Sequence, residues 1–91
     1  MNIINNANES LRKTLSEASC VHPATVFDPM SGKIAESLNY KVGIVPGMIM
    51  SLNLLSAPDL MLLSITELSD AVRRIKRSCS MPIIIDADHG Y

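Results

Sequence analysis

Apolar positions change their spacing several times along the chain, and each change marks an element. Leu11, Leu15 and Ala18 recur at helical spacing after an Asn/Glu/Ser start, which predicts a short amphipathic helix over residues 8–18. Pro23 breaks that pattern, and Ala24-Thr25-Val26-Phe27 reads as a short buried strand. Asp28-Pro29-Met30-Ser31 is a turn. Ser31 is the expected cap of a helix with Ile34, Ala35 and Leu38 on its inner face and Lys33 and Glu36 outside. Asn39 suits a left-handed stop for that helix. A second strand, Lys41 to Val45, ends at Pro46-Gly47.

Residues 48–63 are apolar but carry Asn53, Ser56 and Pro58-Asp59, which fits a short helix or an ordered loop. Ser64 and Glu67 stand three apart, the spacing of a capping box. They open a helix whose inner face is Leu68, Ala71 or Val72, Ile75 and Cys79. Arg73, Arg74, Lys76 and Arg77 form its solvated side and suit its C-terminal half. After Pro82 the run Ile83-Ile84-Ile85 is the third strand. No hairpin signal separates any of the strands. Strand–helix–strand alternation with continuously apolar strands predicts a parallel sheet covered by helices, an α/β fold.

Ninety-one residues allow one domain, and 47% hydrophobic with 19% charged residues is ordinary for a globular chain. A net charge of −1 gives no electrostatic footprint for nucleic acid or an anionic membrane. Phe27, Tyr40 and Tyr91 are too few for a base-stacking platform. No apolar run approaches the roughly 18 residues of a membrane span. Ile3-Ile4 runs at once into asparagines, so no export signal is evident and a cytoplasmic location is expected. Cys20 and Cys79 are then expected as reduced thiols, a disulfide being the minor alternative.

In parallel α/β sheets the chemistry gathers where strands end and the following turns begin. Those points carry Asp28, Pro46-Gly47 and Asp86-Ala87-Asp88. Asp28-Pro29 by itself is ordinary for a turn start, and Gly47 after proline is ordinary for a bend. His22 beside Pro23 reads as a loop residue; His89 is a candidate base or ligand. The methionines serve mostly as core filler. Asp-x-Asp is a weak motif in a loop and a better one at the end of a buried strand. There, residues i and i+2 point the same way, and two facing carboxylates favour a hard cation between them.

The stretches "VFDPMSGKIAESLNYKVGIVPG", "SAPDL" and "MPIIIDADHGY" together resemble the isocitrate lyase and phosphoenolpyruvate mutase superfamily, and within it the oxaloacetate decarboxylase branch. The resemblance runs from about Leu11 to Tyr91. It includes the order FDPMS, a glycine turn with Ser51 four residues on, APD, and DADHGY. It implies the N-terminal portion, about three βα units, of an eight-stranded β/α barrel of the TIM type. Residues 1–19 would be an N-terminal helical segment and residues 20–91 the first three strands with their helices. It also implies a Mg²⁺ site, with Mn²⁺ as an alternative, that handles a small 2-oxo acid through enolate-like states. By resemblance Asp86 reaches the metal, Asp88 is its partner directly or through water, and Asp59 stands one layer farther out. Gly47 and Met48 lie on the turn whose amides hold a substrate carboxylate. The implied reaction of the complete enzyme is decarboxylation of oxaloacetate to pyruvate and CO₂, by a homo-oligomer.

Two positions depart from the branch pattern. Pro46 replaces a small residue and has no N–H, and Met48 replaces a serine, removing a hydroxyl donor and filling space. These leave open a non-catalytic interaction piece. Cleavage of a 2-methylisocitrate-like acid and rearrangement of a carbon–phosphorus bond are further alternatives. The later strands, which by resemblance bring a catalytic arginine and a histidine, are absent from these residues. The chain alone is therefore expected to be an inactive piece of an enzyme of roughly 250 residues, prone to self-association.

Overall fold

The computed structural model describes residues 3–91. Its elements, in chain order, are α1 (Ile3–Ser16), β1 (Ala24–Thr25), α2 (Pro29–Ser37), β2 (Gly43–Val45), α3 (Gly47–Leu55), α4 (Ile65–Ser78) and β3 (Ile83–Ile85). The strands form one parallel sheet in the order β1-β2-β3. Ala24 stands opposite Gly43, which stands opposite Ile83, and Val45 pairs with Ile85. Each strand is reached through helical crossovers, the arrangement parallel pairing requires.

One face of the sheet makes the core. Val26 and Val45 pack with Ala35 of α2 and with Leu68, Ala71 and Ile75 of α4, while Ala24 and Ile83 lean on that cluster. The helices approach closely because α2 carries Gly32. A Cβ there would stand 3.3 Å from Cys79 Sγ, Ile75 Cγ2 and Ser78 Oγ, tighter than most packed atoms. This close contact explains a difference from the sequence pattern. α2 buries Gly32 and Ala35, whereas Ile34 and Leu38 are 53% and 65% exposed.

The start of α2 also differs from the expectation. Asp28, not Ser31, is the N-cap, and Pro29 occupies the first turn, where its missing N–H has no consequence. The Ser31 amide donates to Asp28 Oδ1 (2.7 Å), and the Ser31 hydroxyl accepts from the amides of Phe27 and Asp28 (3.0 and 3.1 Å). Those two amides are thereby taken from the sheet, so the β1 ladder closes after Thr25 although Val26 is still buried. Asn39 does adopt the left-handed conformation beyond α2, with φ of 65°.

α1 begins earlier than its apolar spacing predicts and stops at Ser16, leaving Ala18 outside it. Its buried residues are Ala7 and Thr14, and Leu15 faces outward. The first two residues of the 1–19 segment lie outside the described residues. α4 follows its pattern closely: Leu68, Ala71 and Ile75 are buried, and Ser64 and Glu67 form the reciprocal capping box. The bonds from the Ser64 amide and hydroxyl hold the Glu67 carboxyl below its usual range. Cys79 is buried at the end of α4, and Cys20 is an exposed free thiol. Among the described residues no helix is long and apolar enough to cross a membrane.

Candidate metal and carboxylate site

The carboxyl ends of β2 and β3 lie side by side and supply the candidate chemistry. β2 passes through Pro46 directly into α3, whose N-cap is that proline and receives no side-chain hydrogen bond. The amides of Gly47, Met48 and Ile49 therefore begin a helix without intrahelical acceptors, and this end of the helix favours negative charge. The Pro46 carbonyl accepts from the Met50 amide at 3.2 Å, so proline here serves as an ordinary helix start. Met48 is 62% exposed.

β3 runs on into Asp86, whose amide still donates to the Val45 carbonyl at 3.0 Å. There the extended backbone stops. Asp86 Oδ1 accepts from the Asp88 amide at 3.0 Å, and Asp88 is left-handed with φ of 48°. Gly90, with φ of 93°, closes the turn by donating to the Ala87 carbonyl at 2.7 Å. The two carboxylates thus face the same way because of a turn wound on Asp86, not because of strand alternation.

Asp59 arrives from the loop after α3. The Ser51 hydroxyl, buried within α3, donates to the Pro58 carbonyl at 2.9 Å and fixes the preceding residue of that loop. The result converges on one backbone point. A Cβ placed on Gly47 would stand 3.4 Å from Asp86 Oδ2, 3.6 Å from Asp88 Oδ1 and 3.7 Å from Asp59 Oδ1. Gly47, Ser51, Asp59, Asp86, Asp88 and Tyr91 share the lining of a narrow cleft there.

Three carboxylates around a side-chain-free backbone position suit a small hard cation rather than a soft metal. Among the described residues, no three His, Cys, Asp or Glu side chains are close enough together to hold an ion unaided. Mg²⁺ does not need that, since it keeps several waters and takes one or two carboxylates. Asp86 and Asp88 are therefore the carboxylates that would hold Mg²⁺ here, with Asp59 facing the same point.

The other candidates fall elsewhere. Asp28 is spent as the α2 cap. His22 precedes β1, at the opposite end of the sheet, with Nδ1 beside the Pro23 carbonyl. His89 is exposed; its Nδ1 accepts from the Tyr91 amide at 3.3 Å, and its ring meets that of Tyr91 edge-on, centroids 5.1 Å apart. Two residues that the motifs contain gain roles the sequence did not assign: Ser51, and Tyr91, whose hydroxyl donates to the Leu63 carbonyl at 2.8 Å. Lost hydration, then the charges of Asp88, Asp86 and Glu67, push the Tyr91 hydroxyl above its ordinary range, so it stays protonated as a donor. A larger depression of about 380 Å³, with Lys13, Glu36 and Lys41 in its wall, lies at the other end of the strands, away from the three aspartates.

Helix-covered parallel strands with carboxylates gathered at their carboxyl ends define this chain as about three units of a (β/α)₈ barrel. It is similar to proteins named for reactions of oxaloacetate and related acids. Over 83 residues it is 49% identical to an oxaloacetate decarboxylase of Rhodopseudomonas palustris (strain BisB18), covering 91% of this chain and 29% of that protein. Its fold matches a crystal structure of oxaloacetate acetylhydrolase with TM-score 0.84 and 25% identity, over 93% of this chain and 31% of that one. It matches 2,3-dimethylmalate lyase, a PEP mutase/isocitrate lyase superfamily member, with TM-score 0.80 and 28% identity, over 93% and 30% of the two chains. No protein-family model matches the chain. The chain shares its fold with these enzymes, one of them a PEP mutase/isocitrate lyase superfamily member, and it spans about 30% of the length of the relatives it matches.

Proposed function

We propose that this chain supplies the metal-binding corner of an oxaloacetate decarboxylase, a lyase that releases CO₂ from oxaloacetate and leaves pyruvate. The observation that carries this reading is the convergence of Asp86, Asp88 and Asp59 on Gly47. The sequence likeness to proteins named oxaloacetate decarboxylase supports the choice of substrate. When bound, Mg²⁺ supplies Lewis acidity toward the carbonyl and carboxylate oxygens of a 2-oxo acid.

The residues of this chain bind and orient. Asp86 and Asp88 would hold the cation, with Asp59 beside them. The amides of Gly47 and Met48, at the start of α3, receive a substrate carboxylate, which the helix end favours. The absence of a Cβ at Gly47 lets that carboxylate approach the backbone. Protonation of the product carbon falls to groups outside these residues, so the 91-residue chain alone has no decarboxylase activity in this reading. The complete protein acts on a small molecule in the cytoplasm as a homo-oligomer, and the net charge of −1 supports the absence of a nucleic-acid partner.

The test is isothermal titration of the chain with Mg²⁺, alone and with oxalate as a flat dianionic mimic. Saturable Mg²⁺ binding that Asp86→Asn abolishes is the expected result. A chain that takes up no Mg²⁺, or an Asp86→Asn variant that binds as well as the parent, overturns the reading. A second reading, carbon–carbon cleavage of a substituted malate, is favoured by the fold likeness to 2,3-dimethylmalate lyase. Comparing pyruvate release from oxaloacetate and from 2,3-dimethylmalate in the complete enzyme separates the two.

A further inference from the structure

The turn that presents Asp88 is an expensive one. Asp88, Gly90 and Tyr91 all have positive φ (48°, 93° and 56°), and two of them carry side chains that disfavour it. Such a turn persists only when it is held at both ends. Its beginning is held by the β2–β3 ladder, through the Asp86 amide on the Val45 carbonyl. Its far end is held by Tyr91, whose hydroxyl reaches the carbonyl of Leu63 at 2.8 Å, 28 residues away in sequence. Leu63 is a buried core residue that directly precedes the N-cap of α4, so it is a rigid anchor. Between these ends stand three local bonds: the Asp88 amide on Asp86 Oδ1, the Gly90 amide on the Ala87 carbonyl and the longer Tyr91 amide on His89 Nδ1 (3.3 Å).

We propose that Tyr91 is a positioning residue for the metal carboxylates: its hydroxyl clamps the turn to Leu63 and so keeps the Asp88 carboxylate facing Gly47 beside Asp86. The proposal rests on the metal-binding reading above, since it states what the clamp is for. Ligands fixed in advance bind a cation without having to be ordered by it. Freed from Leu63, the turn samples conformations in which Asp88 faces solvent, and affinity falls by the fraction of time spent there.

Tyr91→Phe isolates the hydroxyl, because the ring and its edge contact with His89 are kept. Amide hydrogen exchange on the metal-free chain should become about tenfold faster at Asp88 and Gly90, while the sheet amides of Val26 and Gly43 keep their protection. Mg²⁺ affinity should fall about tenfold, the range seen when groups supporting metal ligands are removed. Unchanged exchange at Asp88 and Gly90 overturns the clamp. Loss of protection at Gly43 as well makes the hydroxyl a general stability element, which also overturns it. Faster exchange with unchanged Mg²⁺ affinity removes the positioning role alone. Faster exchange in a protein whose parent takes no Mg²⁺ removes the metal reading and, with it, the purpose assigned to Tyr91.

Discussion

The Ser51 hydroxyl, midway along α3, donates to the Pro58 carbonyl at 2.9 Å and so ties a helix to the loop that carries Asp59. Ser51 is 3% exposed, and water cannot easily replace it. Ser51→Ala leaves the carbonyl with the Leu60 amide (2.9 Å) as its remaining donor and cuts the tie to α3. The expected loss of stability is about 0.5–1.5 kcal/mol, the net worth of one hydrogen bond, since the carbonyl stays satisfied. Urea unfolding measures it, and a midpoint equal to that of the parent would show the bond to be dispensable.

Gly43 of β2 is closely packed by its neighbours. A Cβ there would lie 3.0 Å from Met81 Cε and 3.2 Å from Val26 Cγ2. The first is the end of a flexible side chain, so Gly43→Ala should be tolerated with a loss of roughly 1 kcal/mol or less. Gly43→Val adds branches that Val26 cannot escape and should cost about 1–3 kcal/mol. Thermal melts of the two variants should therefore separate clearly. Equal melting temperatures would mean that the core around Met81 is looser than its packing indicates.

Much of this architecture was readable in the residues, and the failures have local causes. Strand–helix alternation, the Ser64–Glu67 box and the Asn39 stop follow from short-range rules, which act before any tertiary contact. The inner face of α2 did not, because Gly32 rather than an apolar stripe sets where α4 touches it. The α2 cap was misplaced by three residues because Asp28 and Ser31 both suit it, and the reciprocal bonds decide between them only in three dimensions. Strand-end logic points to Asp28 with Asp86 and Asp88, and resemblance adds Asp59; the structure gathers the last three around Gly47 and uses Asp28 as the α2 cap. The roles of Ser51 and Tyr91 depend on partners 7 and 28 residues away, which no spacing rule reveals.

Stability should also depend on pH through Glu36. The Ser80 hydroxyl, at 2.6 Å, and the Ser80 amide, at 2.9 Å, hold its carboxyl below the ordinary 4.5, with smaller help from Met81 and Lys76. A lowered acidity constant in the folded state means that this contribution is complete above the unfolded value, near 4.5, and is lost as pH falls through the folded value. The carboxylate is partly exposed, so the effect is modest. Melting temperatures taken from about pH 6 down to about pH 3 should fall less steeply for Glu36→Gln than for the parent. Parallel curves would show that Glu36 makes no pH-linked contribution to folding.

The β3 edge makes the last prediction. In the order β1-β2-β3 the outer edge of β3 has no strand beside it among the described residues, and Ile84 and Ile85 are 40% and 39% exposed. An unpaired, uncharged, β-branched edge is a template for another strand, and natural sheets guard such edges with lysine or proline. Pro82 lies just before β3, outside the three residues that would pair. Beside this edge Leu11 and Val72 line an apolar groove with Ile83 and Ile85, so a second chain would bury apolar surface as well as backbone. At raised concentration the chain should therefore elute ahead of a 9.9 kDa monomer in size exclusion. Ile84→Lys places a charge in the middle of the edge strand without touching the Val45 and Ile75 core. It should shift the population toward monomer. Elution of the parent as a concentration-independent monomer, or of the variant as the same larger species, would show that the β3 edge does not direct association.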